Sequence, residues 1–362
     1  MSPKKRPVSY HCYLQLDHIL ESQLPPDPAA ADPKTTRPLI HHDELLFIIT
    51  HQTMELWMKM ILADLTSARD RMTPRGENNE VAETEIPEVA RLLDRCAKTL
   101  EHLGHQFALI ETMPPTNFLR FRDQLAPASG FQSFQFREIE IVAGLDADKR
   151  IEFQGRPYDS HLDANRREQV KRREAEPSLR DTLFAWLART PFDRAFPGFG
   201  ERFLETYDAY IDEQCAIQRA NPNLSEEQHA ITEKRVESGK KDARDFFESG
   251  DEVTNRAHQA FVFIASYRNE PLLAWPYALL ERVLEFEEHF RLFRFRHARM
   301  VERMIGLRVG TGGSSGVSYL DATAAQYRIF GDLLKATSYL VDRARLPEIP
   351  QPQWLGFAID EN

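Results

Sequence analysis

The chain has 362 residues, 42% of them hydrophobic and 28% charged, with a formal net charge of −10. At roughly 150 residues per domain, that length allows about two domains or one elongated helical one. A mildly acidic chain has no electrostatic reason to seek nucleic acid or an anionic membrane surface. No apolar run nears the ~20 residues that span a bilayer, and no apolar stretch follows the basic start Lys4 to Arg6, as it would in a secretory signal. Cys12, Cys96 and Cys215 are odd in number and widely spaced, which argues against a disulfide framework and for a reducing, cytoplasmic compartment.

In chain order, residues 1–9 are expected to be disordered and 25–38, rich in Pro, Ala and Asp, to form a loop. From His42 to Met72 runs one long helical pattern without Pro or Gly. Its first half is apolar on most sides, which predicts a buried helix. A second helix is expected from about Pro87 to Met113, stopped by Pro114 and Pro115. Shorter helices follow over 117–125 and 131–143, with a break from Pro127 to Gly130.

Residues 146–255 turn polar and charge-dense, and read as a peripheral helical insertion docked by an aromatic cluster from Trp186 to Phe199. Residues 256–306 return to amphipathic helix, interrupted near Pro271 and Pro276. After a glycine-rich loop from Gly310 to Gly316, a final helix is expected from Tyr319 to Arg343. No alternating strand pattern of useful length occurs, so the fold class is all-α.

Four places have the residue types for chemistry. Val283, Phe286, Phe290, Phe293, His297, Met300 and Met304 alternate in spacings of three and four, so His297 sits within an apolar helical stripe. A buried imidazole needs a hydrogen-bond partner or a metal, because leaving it unpaired costs about 1–3 kcal/mol. Periodicity alone favours a core histidine bonded to a carbonyl, although a flat apolar cofactor with one ligand position suits such a stripe as well. His51 repeats the case among Phe47, Met54 and Met58. Arg122, beside Phe118 and Phe121, calls for a carboxylate: either Asp123 or another internal acid, or that of an amino-acid ligand. The Gly310 to Gly316 segment is a flexible linker or an ordered loop whose backbone N–H groups approach an anion. It lacks the GK[ST] ending of a Walker loop. His102 and His105 read as structural or surface residues.

Together, five stretches closely resemble the tryptophan 2,3-dioxygenase family. They are Tyr10 to Asp17 (YHCYLQLD), His42 to Thr53 with Glu55 to Trp57, Phe121 to Asp123 with Pro127 to Ser133, Arg296 with His297, and Ile305 with Gly306 and the Gly310 to Gly316 loop. They stand in the family's order and span most of the chain outside 146–255.

The resemblance implies a helical bundle enclosing a haem pocket, with 1–145 and 256–362 as the haem- and substrate-binding core. His297 would be the proximal ligand of a non-covalent haem b, in keeping with the lack of a CxxC haem-attachment motif. His51 would be the distal histidine, bonded to the indole N–H. Phe47 and Phe118 would line the indole pocket. Arg122 would hold the substrate carboxylate, aided by Thr311, which also meets the ammonium. Ser129 would lie beside the haem. Tyr10 and Tyr13 would reach a neighbouring subunit's active site, in a homotetramer.

The implied reaction opens the indole C2–C3 bond of L-tryptophan with O2, giving N-formylkynurenine. One departure stands out: where the family has Tyr-Gly-x-Tyr near its start, this chain has His11 in place of the glycine. A related monooxygenase giving a 2-oxindole from tryptophan or β-methyltryptophan, and a non-catalytic haem sensor, are the alternatives.

Overall fold

The structure is a computed structural model describing residues 8–32, 34–74, 81–126, 128, 130–151, 162–310 and 316–356. It is built of helices: α1 (Tyr10–Leu14), α2 (Leu16–Leu20), α3 (His42–Met72), α4 (Ile86–Ile110), α5 (Pro115–Arg122), α6 (Phe134–Ala143), α7 (Ala164–Glu174), α8 (Leu179–Ala188), α9 (Phe192–Ala195), α10 (Phe199–Arg219), α11 (Glu226–Glu248), α12 (Glu252–Ser266), α13 (Ala274–Ile305), α14 (Val317–Gln326) and α15 (Gly331–Ala336). Among the described residues the nearest thing to a sheet is one isolated antiparallel bridge, Pro26 with Thr36. None of their helices is long and apolar enough to cross a membrane.

Three long helices make the frame. In α3, Asp43 and Glu44 lie in the first turn and Arg69 and Arg71 in the last, each sign opposing the helix dipole. In α4, Val89, Leu93, Cys96, Leu100, Leu103, Phe107 and Ile110 are buried at helical spacing, and this stripe packs between α3 and α13. At 32 residues α13 is about 48 Å long. Its stripe from Val283 to Met304 is buried as the periodicity requires.

Three expectations need correction. The break expected near Pro271 and Pro276 is present between α12 and α13, over 267–273, and holds Pro271 but not Pro276. Pro276 falls in the first turn of α13, where its missing N–H has no partner to lose. The final helix is not continuous: α14 ends at Gln326 and α15 starts at Gly331. Between them, the N–H groups of Ile329 and Phe330 leave the helical ladder and donate to buried Glu287 Oε2 at 3.1 and 3.2 Å. The first half of α3 is not buried all round either: Ile49, Leu56 and Trp57 stay exposed on one face.

The aromatic cluster of Trp186, Phe192, Phe196 and Phe199 joins the same continuous core as Ile61 and Leu65 of α3. Gly316 closes the loop after α13 with φ +57°, where a Cβ would stand 3.0 Å from the Arg308 carbonyl oxygen. A side chain there would meet both strain and a clash.

Candidate active site

A cavity of about 320 Å³ opens among α3, α4, α5, α6, α13 and α14, a size at the lower end of the roughly 300–1,000 Å³ of small-molecule sites. Five residues singled out from the sequence line it: Phe47, His51, Phe118, Arg122 and His297. Helical spacing puts Phe47 and His51 on successive turns of α3, and the two rings lie 4.1 Å apart. Phe47, Phe118 and Phe121 form one aromatic corner, with centroid separations of 5.4–5.9 Å.

His51 Nδ1 lies 2.7 Å from the Phe47 carbonyl oxygen. A carbonyl only accepts, so Nδ1 carries the proton and Nε2 is left as a lone-pair acceptor. The ring's open surface belongs to the cavity wall. Enclosure by protein lowers its pKa, against the opposing pull of the Phe47 carbonyl and Glu55. His51 is therefore a neutral acceptor for an N–H group.

His297 enters the cavity from α13, stacked on Phe107 at 5.4 Å and 27°. Burial, with Arg294 and His51 nearby, pushes its pKa down to about 4. Its imidazole is neutral at ordinary pH and makes no hydrogen bond to another described residue. That is the state of a ligand rather than of a core histidine bonded to a carbonyl. Among the described residues no group of three or more His, Cys, Asp or Glu could hold a bare metal ion. A haem brings ring nitrogens of its own and asks the protein for as few as one ligand.

Arg122 is half-buried and donates from Nη2 to the Val309 carbonyl oxygen, at the edge of the glycine-rich loop. Among the described residues it forms no ion pair with Asp123 or another carboxylate. Gly310 and Gly316 line the cavity, while Thr311 and Ser129 lie outside the described residues. Tyr10 and Tyr13 are not in the cavity; on α1 they are 74% and 77% exposed. His11, on the same helix, pairs with Asp17 at 3.2 Å. His102 and His105 are exposed on α4.

Several cavity residues escaped the sequence reading: Glu55, Ser133, Arg137 and Arg294. Glu55 could have been found, because it follows His51 by one turn on the same face. The two arginines belong to a buried knot in which Glu140 accepts from Arg137, Arg150 and Arg294 at 3.0, 2.7 and 2.6 Å. Burial alone would raise the Glu140 pKa, but the three guanidiniums more than reverse it, so the carboxylate is held ionised.

Residues 3–340 match the sequence profile of the family described as tryptophan 2,3-dioxygenase. A tryptophan 2,3-dioxygenase 2 of Ralstonia nicotianae is 38% identical over 98% of both chains. A tryptophan 2,3-dioxygenase of Bdellovibrio bacteriovorus is 34% identical over 96% of this chain and 97% of its own. One of Sorangium cellulosum is 39% identical over 89% of this chain and 82% of its own. With a cavity that joins two neutral histidines to an arginine that has no carboxylate partner among the described residues, and similarity of this extent, the chain belongs to the tryptophan 2,3-dioxygenase family.

Proposed function

We propose that this protein is a haem-dependent enzyme that opens the indole C2–C3 bond of L-tryptophan with O2 to give N-formylkynurenine. The observation that carries the reading is the pairing of His297 and His51 in one cavity. One neutral imidazole has no hydrogen-bond partner among the described residues and would suit an iron; the other has a fixed tautomer whose lone pair suits an indole N–H.

The residues fit a non-covalent haem b. His297 would supply a nitrogen ligand to the iron, and Phe107, Phe293 and Met300 of the cavity wall would give apolar contact. When bound, the haem supplies ferrous iron for activating O2. This chain's own part is orientation. His51 Nε2 accepts the indole N–H, and Phe47 and Phe118 confine the ring. Arg122 exchanges the Val309 carbonyl for the substrate carboxylate, with Thr311 on the carboxylate and ammonium and Ser129 beside the haem. Holding ring and amino-acid end together converts a two-body encounter into a positioned one.

The exposed apolar residues Ile49, Leu56 and Trp57, with Tyr10 and Tyr13, support assembly of copies into a homotetramer in which α1 reaches a neighbour's cavity. The free Cys12, Cys96 and Cys215 support a reducing, cytoplasmic compartment, and the acidic charge supports an enzyme without a nucleic-acid partner. In the division of labour, 1–145 and 256–362 hold the site, and 146–255 is a helical annex.

Product mass after turnover with isotopically labelled O2 tests the reaction. Two labelled atoms in the product support ring opening. One, in a 2-oxindole, replaces it with monooxygenation, and no turnover overturns both.

A further inference from the structure

Glu55 is a cavity residue to which the roles above give no task. It lies one turn beyond His51 on α3, half-buried on the cavity wall. Both of its carboxylate oxygens are engaged from one neighbouring segment. Ser133 Oγ donates to Oε1 at 2.7 Å, and Gln135 Nε2 donates to Oε2 at 2.8 Å. The same Gln135 amide also donates to the Glu55 backbone carbonyl at 2.8 Å.

Ser133 is at the same time the N-cap of α6, accepting from Phe136 N at 3.4 Å. Phe136 in turn packs on Phe293 at 5.7 Å, one turn before His297 on α13. A connected path therefore runs from Glu55, beside the acceptor histidine, through Ser133 and Phe136 to the helix of the ligand histidine. Gly130, Ser133 and Phe136 on this path face the cavity themselves.

Resting on the proposed function, we infer that Glu55 is a positioning residue: by clamping the start of α6 to α3 it sets the width of the cavity between His51 and His297, and so the placement of the indole. A carboxylate suits the task because its two oxygens accept from two donors at once, which charge strengthens. An alanine would take the acceptor from Ser133 and one of two from Gln135, leaving the Gln135 bond to the backbone carbonyl of residue 55 as the remaining part of the clamp.

The test uses haem-loaded protein with Glu55→Ala, Glu55→Gln, Ser133→Ala and the Glu55→Ala/Ser133→Ala pair. Glu55→Ala is expected to raise KM for tryptophan about tenfold with a much smaller change in kcat, the loss expected of one to two hydrogen bonds that act on placement. It is also expected to shrink the tryptophan-induced shift of the haem Soret band. Glu55→Gln is expected to recover most of both, because Ser133 can still donate to its Oε1 and Gln135 can turn its own carbonyl toward the new amide. The double variant is expected to fall short of the product of the two single effects, since they share the Ser133–Glu55 bond and only the Ser133 cap on Phe136 N–H is lost in addition.

An unchanged KM and Soret shift in Glu55→Ala, or effects of Glu55 and Ser133 that simply multiply, overturns the inference. If Glu55→Ala does not fold, Gln135→Ala, which removes one of the two donors and leaves the Ser133 cap in place, is compared with Glu55→Gln: a raised KM and a smaller Soret shift in Gln135→Ala support the inference, and unchanged values overturn it. If wild-type protein neither turns over tryptophan nor shows a Soret shift with it, the proposed function is what fails. The clamp is then read from hydrogen exchange at Phe136 N–H in the unliganded protein: faster exchange in Glu55→Ala supports it, and equal rates overturn it.

Discussion

His51 donates its Nδ1 proton to the Phe47 carbonyl one turn earlier on the same helix, at 2.7 Å. The bond does two things at once. It satisfies half of an imidazole held in a largely apolar cavity, and it commits the other nitrogen to accepting. A substrate without an N–H donor at that position should bind worse. L-tryptophan methylated on the indole nitrogen is expected to lose about 10- to 100-fold in kcat/KM relative to L-tryptophan, in line with about 1–3 kcal/mol for a stranded polar group. In His51→Ala the two substrates should be treated nearly alike. A wild-type enzyme that does not distinguish them would remove the indole acceptor role from His51.

His297 has the complementary property: it is neutral, stacked on Phe107, and has no hydrogen bond to a described residue. His297→Ala is expected to fold, because removing an imidazole without a partner among the described residues strands none of their polar groups, and to lose haem during gel filtration. Added imidazole should restore a histidine-like optical spectrum by filling the space left behind. A variant that retains haem with an unchanged spectrum would place the iron ligand elsewhere.

Arg122 reaches the Val309 carbonyl rather than a carboxylate. Replacing a neutral acceptor by a substrate carboxylate gives a stronger, charge-assisted bond, worth about 1.5–3 kcal/mol. Arg122→Ala is therefore expected to raise KM for tryptophan by about 10- to 150-fold and to abolish the preference for tryptophan over tryptamine. Lysine at this position should recover little, since it lacks the planar fork. If tryptophan and tryptamine remain equally separated in Arg122→Ala, the carboxylate is held by another group.

Much of this site was legible because apolar patterning is a strong signal. The stripe from Val283 to Met304 and the run from His42 to Met72 predicted α13 and α3 and placed both histidines on apolar faces. What periodicity does not give is the partner. A core histidine and a ligand histidine have the same neighbours in sequence, and it is the ordered family motifs and the cavity that support proposing a ligand. Charged residues inside the fold were illegible for the opposite reason. Arg137, Arg150, Arg294 and Glu140 look like ordinary surface charge along the chain, since the contacts that neutralise them link α6, α13 and the segment between α6 and α7. The break between α14 and α15 was hidden in the same way, because it depends on Glu287, more than 40 residues upstream in the sequence.

The Glu140 knot yields the last prediction. Glu140 is fully buried and shared by three guanidiniums, two of which, Arg137 and Arg294, also line the cavity. Glu140→Gln keeps the shape and removes the charge, leaving those cations buried without the carboxylate they share. The expected cost is about 3–5 kcal/mol of stability, read as a lower urea midpoint. The loss should also loosen haem retention, because the displaced guanidiniums sit on the cavity wall. The pH dependence has a definite sign. The three guanidiniums, overcoming the opposing effect of burial, hold Glu140 below the ordinary carboxylate value of 4.5 in the folded protein. Below about that pH the unfolded chain takes up a proton that the folded one refuses, so the stabilisation is present above it and declines as pH falls. The gap between wild type and Glu140→Gln should therefore be widest near neutral pH and narrow steadily below about 4.5. A gap that stays constant down to pH 3 would mean that the carboxylate's charge is not what holds α6 to α13.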